Sequence, residues 1–224
     1  MNRSKIIELL NIRDMDEDEL RAKSNCSLDE IKKFLNILVF EGRRKEIMGK
    51  RIEFRFSGSG GQGIISAGII LAAAAVHDGK YAIQSQSYGP EARGGSSKAE
   101  VVISEEPIDY PKATTPDYLL CLTDDAFKTY GLAADDKTVI FVDSSMHTDG
   151  SGKNVIKVPI LHAAHEINPQ GANVIAVSFL VGYTGLVRRE SALESLKEQF
   201  PRFIEKNMKC AEAGFRFADE LLNK

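Results

Sequence analysis

The sequence has no tryptophan and only three cysteines in 224 residues. Cys26, Cys121 and Cys210 stand roughly 90 residues apart, with no CxxC pair and no Cys/His cluster, which excludes an encoded disulfide framework, zinc site or iron–sulfur site. Long hydrophobic runs are also missing. The longest apolar stretches, Ile64 to Val76 and Val174 to Val187, are broken by Ser and Gly. They fall short of the roughly 18 to 20 residues a bilayer span requires, and they read as buried helices. Charge of one sign is scarce too: the net charge is −3. Residues 1–56 hold 13 Lys and Arg against 11 Asp and Glu, leaving 16 against 21 in the rest. That split permits a nucleic-acid partner for the N-terminal part without demanding one. The opening Met-Asn-Arg-Ser-Lys leads into an amphipathic, acid-containing pattern, unlike a signal or transit peptide, so a cytoplasmic location without a membrane segment is expected.

What is present suits a packed globule with an aliphatic core, at 43% hydrophobic and 27% charged residues. Residues 1–50 read as a small helical domain. Ile6, Ile7, Leu9 and Leu10 make one apolar face, and Asp14 or Asp16 can cap a second short helix. Ser27 with Glu30 forms a capping box before a third helix, striped by Leu28, Ile31, Leu35 and Leu38. Gly42 stops that helix, and Arg44 to Phe56 could fold as a wing-like hairpin. The outline is a winged helix-turn-helix. Lys32, Lys33, Arg43, Arg44 and Lys45 would help it read DNA. However, Asp29, Glu30, Glu41 and Glu46 dilute that charge and argue against nucleic acid, which favours a docking or packing module.

Residues 51–224 alternate strand and helix patterns. Strands are expected at Arg51 to Ser57, Tyr81 to Gln86, Ala99 to Ser104, Tyr118 to Leu122 and Thr138 to Val142, with Val155 to Val158 as an edge strand. Helices are expected at Gln62 to His77, at Ala172 to Val187, at Ser191 to Phe200 with a Ser191/Glu194 capping box, and at Phe203 to Leu222 after Pro201. The prediction is an α/β fold with a doubly wound, Rossmann-like mixed sheet, preceded by the small winged-helix-like domain.

Two segments hold the chemistry. Gly58-Ser59-Gly60-Gly61-Gln62-Gly63 lies between the first strand and the first long helix, and Gly58, Gly60 and Gly63 match GxGxxG. Such a loop lets backbone N–H groups approach an anion at a helix N-terminus, or it packs strand tightly on helix. A nicotinamide site would add an acid at the end of the second strand, where this chain has Gln84-Ser85-Gln86-Ser87. No Lys follows the last glycine, so the loop is not a Walker A motif. The second segment, Ser87-Tyr88-Gly89-Pro90-Glu91-Ala92-Arg93-Gly94-Gly95-Ser96-Ser97, is denser in special residues than a plain connection needs. Arg93 can bond a phosphate or carboxylate, Tyr88 can cover a planar group, and Glu91 with Arg93 could instead form an internal bridge. Both segments should emerge at the carboxyl ends of strands. Elsewhere, His77 reads as a helix-end residue, His147, His162 and His165 lack metal-ligand spacing, Asp124-Asp125 reads as a helix start, and Cys121 reads as a buried strand thiol.

These segments, together with Ala99 to Ser104, Ile108-Asp109-Tyr110-Pro111, Pro116-Asp117 and the helix with Gly171-Ala172-Asn173 and Gly182, closely resemble the gamma subunit of 2-oxoacid:ferredoxin oxidoreductases. The resemblance covers about residues 52 to 215, and its Ser-Tyr-Gly-Pro-Glu-Ala-Arg-Gly-Gly wording is nearer the 2-oxoglutarate or branched-chain type than the pyruvate type. It implies a complex that decarboxylates a 2-oxoacid with coenzyme A, giving acyl-CoA, carbon dioxide and reduced ferredoxin. It also implies that thiamine diphosphate, Mg2+ and 4Fe-4S clusters reside on alpha and beta partner subunits, with a delta subunit left open. The chain carries no thiamine signature, so it is expected to be inactive alone and to serve assembly and the approach of coenzyme A. The site residues so implied are Gly58, Ser59, Gly60, Gly61, Gln62, Gly63, Tyr88, Glu91, Arg93, Gly94 and Gly95. A redox-sensing winged-helix repressor with a Rossmann nucleotide domain has the same order of parts. The missing ribose acid and the weak N-terminal charge stand against it, and a free-standing dehydrogenase lacks a placed acid or base.

Overall fold

The computed structural model describes residues 51–87, 97–148 and 153–223. The expected N-terminal domain (1–50) lies outside them, as do Tyr88, Glu91, Arg93, Gly94 and Gly95. The described elements are strands β1 (Ile52–Gly58), β2 (Tyr81–Ser87), β3 (Ser97–Ser104), β4 (Tyr118–Cys121), β5 (Val139–Asp143) and β6 (Val155–Val158). The helices are α1 (Ile64–His77), α2 (Ile160–Ile167), α3 (Ala172–Thr184), α4 (Arg189–Gln199) and α5 (Ile204–Leu222).

The six strands form one sheet in the order β2-β3-β1-β4-β5-β6. β3 runs antiparallel to both β1 and β2, whereas β1, β4, β5 and β6 are mutually parallel. This is the mixed α/β sheet expected from the alternating pattern, with Val155–Val158 at its edge. Alternation puts Phe54, Phe56, Val101, Tyr118, Leu120 and Phe141 into the large core under the long helices. Their rings pack as a ladder: Phe54 and Tyr118 stack at 5.2 Å, and Phe141 meets Phe179 and Tyr183 of α3 edge-on at 5.0 Å each. On the opposite face Leu119, Cys121, Ile140 and Val142 pack against Ala126 and Phe127, from a helical turn that Thr123 caps by accepting from the Ala126 N–H at 3.2 Å. Asp124-Asp125 does begin that turn. Farther along the same face the sheet is polar. Arg55 donates to Glu100 at 2.9 Å, and Lys98 lies 3.3 Å from the same oxygen.

Two helices start differently from expectation. α4 begins at Arg189, two residues before the expected capping box, because Ser191 does not cap its own helix. Its hydroxyl donates to Asp78 at the end of α1. The Asp78 carboxylate also accepts from the Arg188 backbone N–H and from Arg188 Nε, both at 2.6 Å. A charged acceptor from another element thus outcompetes the local box at the positive end of the helix. Burial pushes the Asp78 carboxyl up, but the bonds from Ser191 and Arg188 outweigh it and hold the group below the ordinary aspartate value. α2, which the sequence pattern does not announce, starts the same way: Asp143 Oδ2 accepts from the Leu161 N–H at 2.7 Å.

Candidate functional site

The glycine loop leaves β1 at the edge of the sheet where the parallel strands end. Gly58 pairs with Ser97 and Ser87 with Lys98, so both ends of the connection from 88 to 96 emerge beside it. Gly58, Ser87 and Ser97 therefore stand at one end of the sheet. In an open α/β sheet this end, where connections diverge to either side of β1, is where ligands lodge.

Within the loop the glycines divide into two kinds. A Cβ on Gly58 would stand 2.4 Å from Gln62 Oε1 and 3.0 Å from Ile64. One on Gly63 would stand 2.7 Å from the Asn173 amide, and Gly63 holds the left-handed φ of 72° that starts α1. These two serve close packing. Gly60 and Gly61 are different: both are exposed, neither has anything within 4 Å of a modest side chain's first atom, and Gly61 sits at φ 88°. Gln62 folds back over the loop, accepting from the Ser59 N–H at 2.8 Å through Oε1. The tip is thus held in shape while its backbone stays open to solvent.

The helix that follows is uncapped. Gly63 offers no side chain, and the first turn of α1 contains no acid. Helix α3 begins nearby in the same condition, with Gly171 at its N-cap and no acid in its first turn. The contact between Gly63 and Asn173 brings the two starts together, so two positive helix ends face one place. Asn173 is 7% exposed, and its Oδ1 has no hydrogen-bond partner among the described residues. A buried polar atom left unpaired costs on the order of 1–3 kcal/mol, and Ser178 Oγ, farther along α3, is unpaired among the described residues as well. Sequence reading named Asn173 within a motif but not as a site residue. Its unpaired amide exists only after α1 and α3 meet.

Other chemically suggestive residues are inert here. Burial pushes the Cys121 thiol up to about 12, against the opposing effects of Ser57 and Arg55, and burial pushes Cys210 up to about 11. Neither is a nucleophile near neutral pH. Among the described residues no three His, Cys, Asp or Glu side chains group as metal ligands, and no helix is long and apolar enough to cross a membrane. Two cavities, of about 410 and 360 Å³, are lined by Arg51, Glu53 and Tyr110 and by Asp124, Phe127 and His147. Neither is lined by a residue of the glycine loop.

Comparison with known proteins agrees with this architecture. Residues 53–217 match the family model described as pyruvate ferredoxin/flavodoxin oxidoreductase. The chain is 43% identical over 179 residues to the 2-oxoglutarate synthase subunit KorC of Methanocaldococcus jannaschii, covering 76% of this chain and 96% of that one. It is 34% identical over 176 residues to the ketoisovalerate oxidoreductase subunit VorA of Methanothermobacter thermautotrophicus, covering 75% of this chain but 37% of the longer relative. The crystal structure of a keto/oxoacid ferredoxin oxidoreductase gamma subunit from Geobacter sulfurreducens superposes with a TM-score of 0.69 at 40% identity, covering 77% of this chain and 98% of that one. With the family model matching most of the chain and the gamma subunit structure matching at 40% identity, the chain belongs to the pyruvate ferredoxin/flavodoxin oxidoreductase family as a gamma-type subunit.

Proposed function

We propose that the chain is the gamma subunit of a 2-oxoacid:ferredoxin oxidoreductase that favours 2-oxoglutarate, and that its glycine loop and Asn173 form the surface along which coenzyme A reaches the reaction centre. The substrate preference follows the relatives: identity is 43% to the 2-oxoglutarate synthase subunit and 34% to the ketoisovalerate one. In this reading the alpha and beta subunits hold thiamine diphosphate with Mg2+ and the 4Fe-4S clusters, and electrons leave on ferredoxin. Thiamine supplies the decarboxylation chemistry and the clusters supply the path for electrons.

What this chain contributes is binding and orientation. Coenzyme A carries a pyrophosphate and a ribose phosphate, and two uncapped helix ends beside an open glycine backbone suit such anions. The carrying observation is the pair of uncapped helix starts that the contact of Gly63 with Asn173 brings together beside the open Gly60–Gly61 backbone. Tyr88, Glu91 and Arg93, with Gly94 and Gly95, complete the surface in this reading. Arg93 supplies the cation for a phosphate, and Tyr88 covers the flat part of the ligand.

The test uses the assembled complex, with succinyl-CoA formation followed against coenzyme A concentration. Asn173→Ala and Arg93→Ala are each expected to raise the KM for coenzyme A about tenfold or more, as expected for losing one polar contact of ~1.5 kcal/mol. The KM for the 2-oxoacid should not change. Unaltered coenzyme A dependence in both variants would sink the surface assignment. If the chain co-purified with no thiamine-bearing subunit, the assignment to a complex would fall.

A further inference from the structure

The tip of the glycine loop is closed by its own residues. The Gln62 N–H donates to the Ser59 carbonyl at 3.3 Å, and in the opposite direction the Ser59 N–H donates to Gln62 Oε1 at 2.8 Å. Gly60 and Gly61 stand between them, and the φ of 88° at Gly61 is what the third position of a type II turn requires. A backbone N–H must meet the oxygen of a carboxamide and not its nitrogen, so Ser59 sets which way the Gln62 amide faces. Among the described residues nothing accepts from the N–H groups of Gly60 and Gly61. Both closing bonds lie within the turn, so they need neither α1 nor the rest of the sheet.

A second residue decides whether this clasp can form. The first glycine of a GxGxxG loop ordinarily serves a tight turn. Gly58 does not: it still pairs with Ser97 in β1, and the loop glycines with positive φ are Gly61 and Gly63. Its missing side chain matters for another reason. A Cβ there would stand 2.4 Å from Gln62 Oε1, the atom that holds Ser59, and 3.0 Å from the Ile64 side chain. Because Oε1 is the far end of a flexible side chain, an added methyl would turn it out of place and leave the strand standing.

We propose that Gln62 is a positioning residue for ligand binding at this loop, and that Gly58 is glycine in order to admit it: the Gln62 amide holds the Gly60 and Gly61 N–H groups ready for a phosphate of coenzyme A. The inference rests on the coenzyme A reading of the loop and adds to it the residue that orders the binding backbone. Two successive glycines have more backbone freedom than any other pair, and a ligand that had to order them would lose that entropy from its affinity. The clasp orders them before the ligand arrives. Gln62 acts through the backbone, so losing it weakens coenzyme A binding without touching the reacting atoms.

Two measurements separate the clasp from the coenzyme A reading. In proton–nitrogen correlation spectra of the full chain, Gln62→Met and Gly58→Ala are each expected to make the Ser59 amide proton exchange with solvent about fivefold faster. In the assembled complex each is expected to raise the KM for coenzyme A about fivefold, while kcat at saturating coenzyme A changes less than about twofold. The double variant should be no worse than the more affected single one, because both substitutions act on one bond. Gln62→Met is nearly isosteric and leaves Gly58 in place, so it carries the test even where Gly58→Ala lowers the melting temperature. Unchanged Ser59 exchange in Gln62→Met overturns the proposal, as does a double variant whose two effects add. If Ser59 exchange quickens while the KM for coenzyme A is unmoved in Gln62→Met and rises in Arg93→Ala, the positioning role falls and the coenzyme A surface stands. If the KM is unmoved in all of these variants, both fall.

Discussion

Helices α1 and α3 are nearly the same in length and composition, and neither contains a charged residue. Their surroundings differ. Eleven of the thirteen residues of α3 are buried, against seven of the fourteen in α1. α3 has the sheet on one side and other helices around it, with α5 so close that a Cβ on Gly214 would stand 2.4 Å from the Ile175 carbonyl. α1 lies at the flank of the layer and keeps one apolar side uncovered. Composition therefore tells how much apolar surface a helix has to bury, and only topology tells whether this chain alone can bury it.

Substitutions can sharpen that contrast. The largest effect is expected from Phe179→Ala, which removes a fully buried ring at the meeting of α3 and β5 and should cost ~3–5 kcal/mol in urea unfolding. Gly214→Ala should cost ~1–3 kcal/mol by the same measurement, because the added methyl meets backbone of α3 and not a flexible side-chain end. Asp78→Asn should cost ~1–3 kcal/mol at neutral pH by weakening the clasp on α4.

The pH dependence of that loss has a definite sign. The folded carboxyl titrates below its unfolded value, so its stabilisation is complete above the unfolded value and disappears as pH falls through the folded one. The gap between wild type and Asp78→Asn should be constant above about pH 5 and should close below about pH 4. The smallest effect belongs to α1. Ile69→Ala should change monomer stability by no more than about 0.5 kcal/mol, and a loss as large as that of Phe179→Ala would erase the distinction between the two helices.

Much of the fold was legible in the sequence because alternation and turn residues act locally. The strand at Val155–Val158 and the long helices follow their hydrophobic periods to within a few residues. α2 was not legible: Ile160–Ile167 is short, follows Pro159, and depends on the distant Asp143 to start. The start of α4 was misread because Ser191 and Glu194 satisfy a local rule that Asp78, more than a hundred positions away, overrides. At the site, the GxGxxG match located the loop but could not separate its glycines. Gly58 and Gly63 are held by packing and Gly60 and Gly61 by openness, a division that appears only with Gln62, Ile64 and Asn173 in place.

The borrowed caps have a consequence for how this domain can be inherited. α2 starts on a carboxylate from the end of β5, and α4 on one from the end of α1. A fragment that begins after residue 78 would lack the carboxylate on which α4 starts. The unit can be moved only whole, and it is found whole among its relatives, as nearly an entire chain in one and as about a third of a longer polypeptide in another.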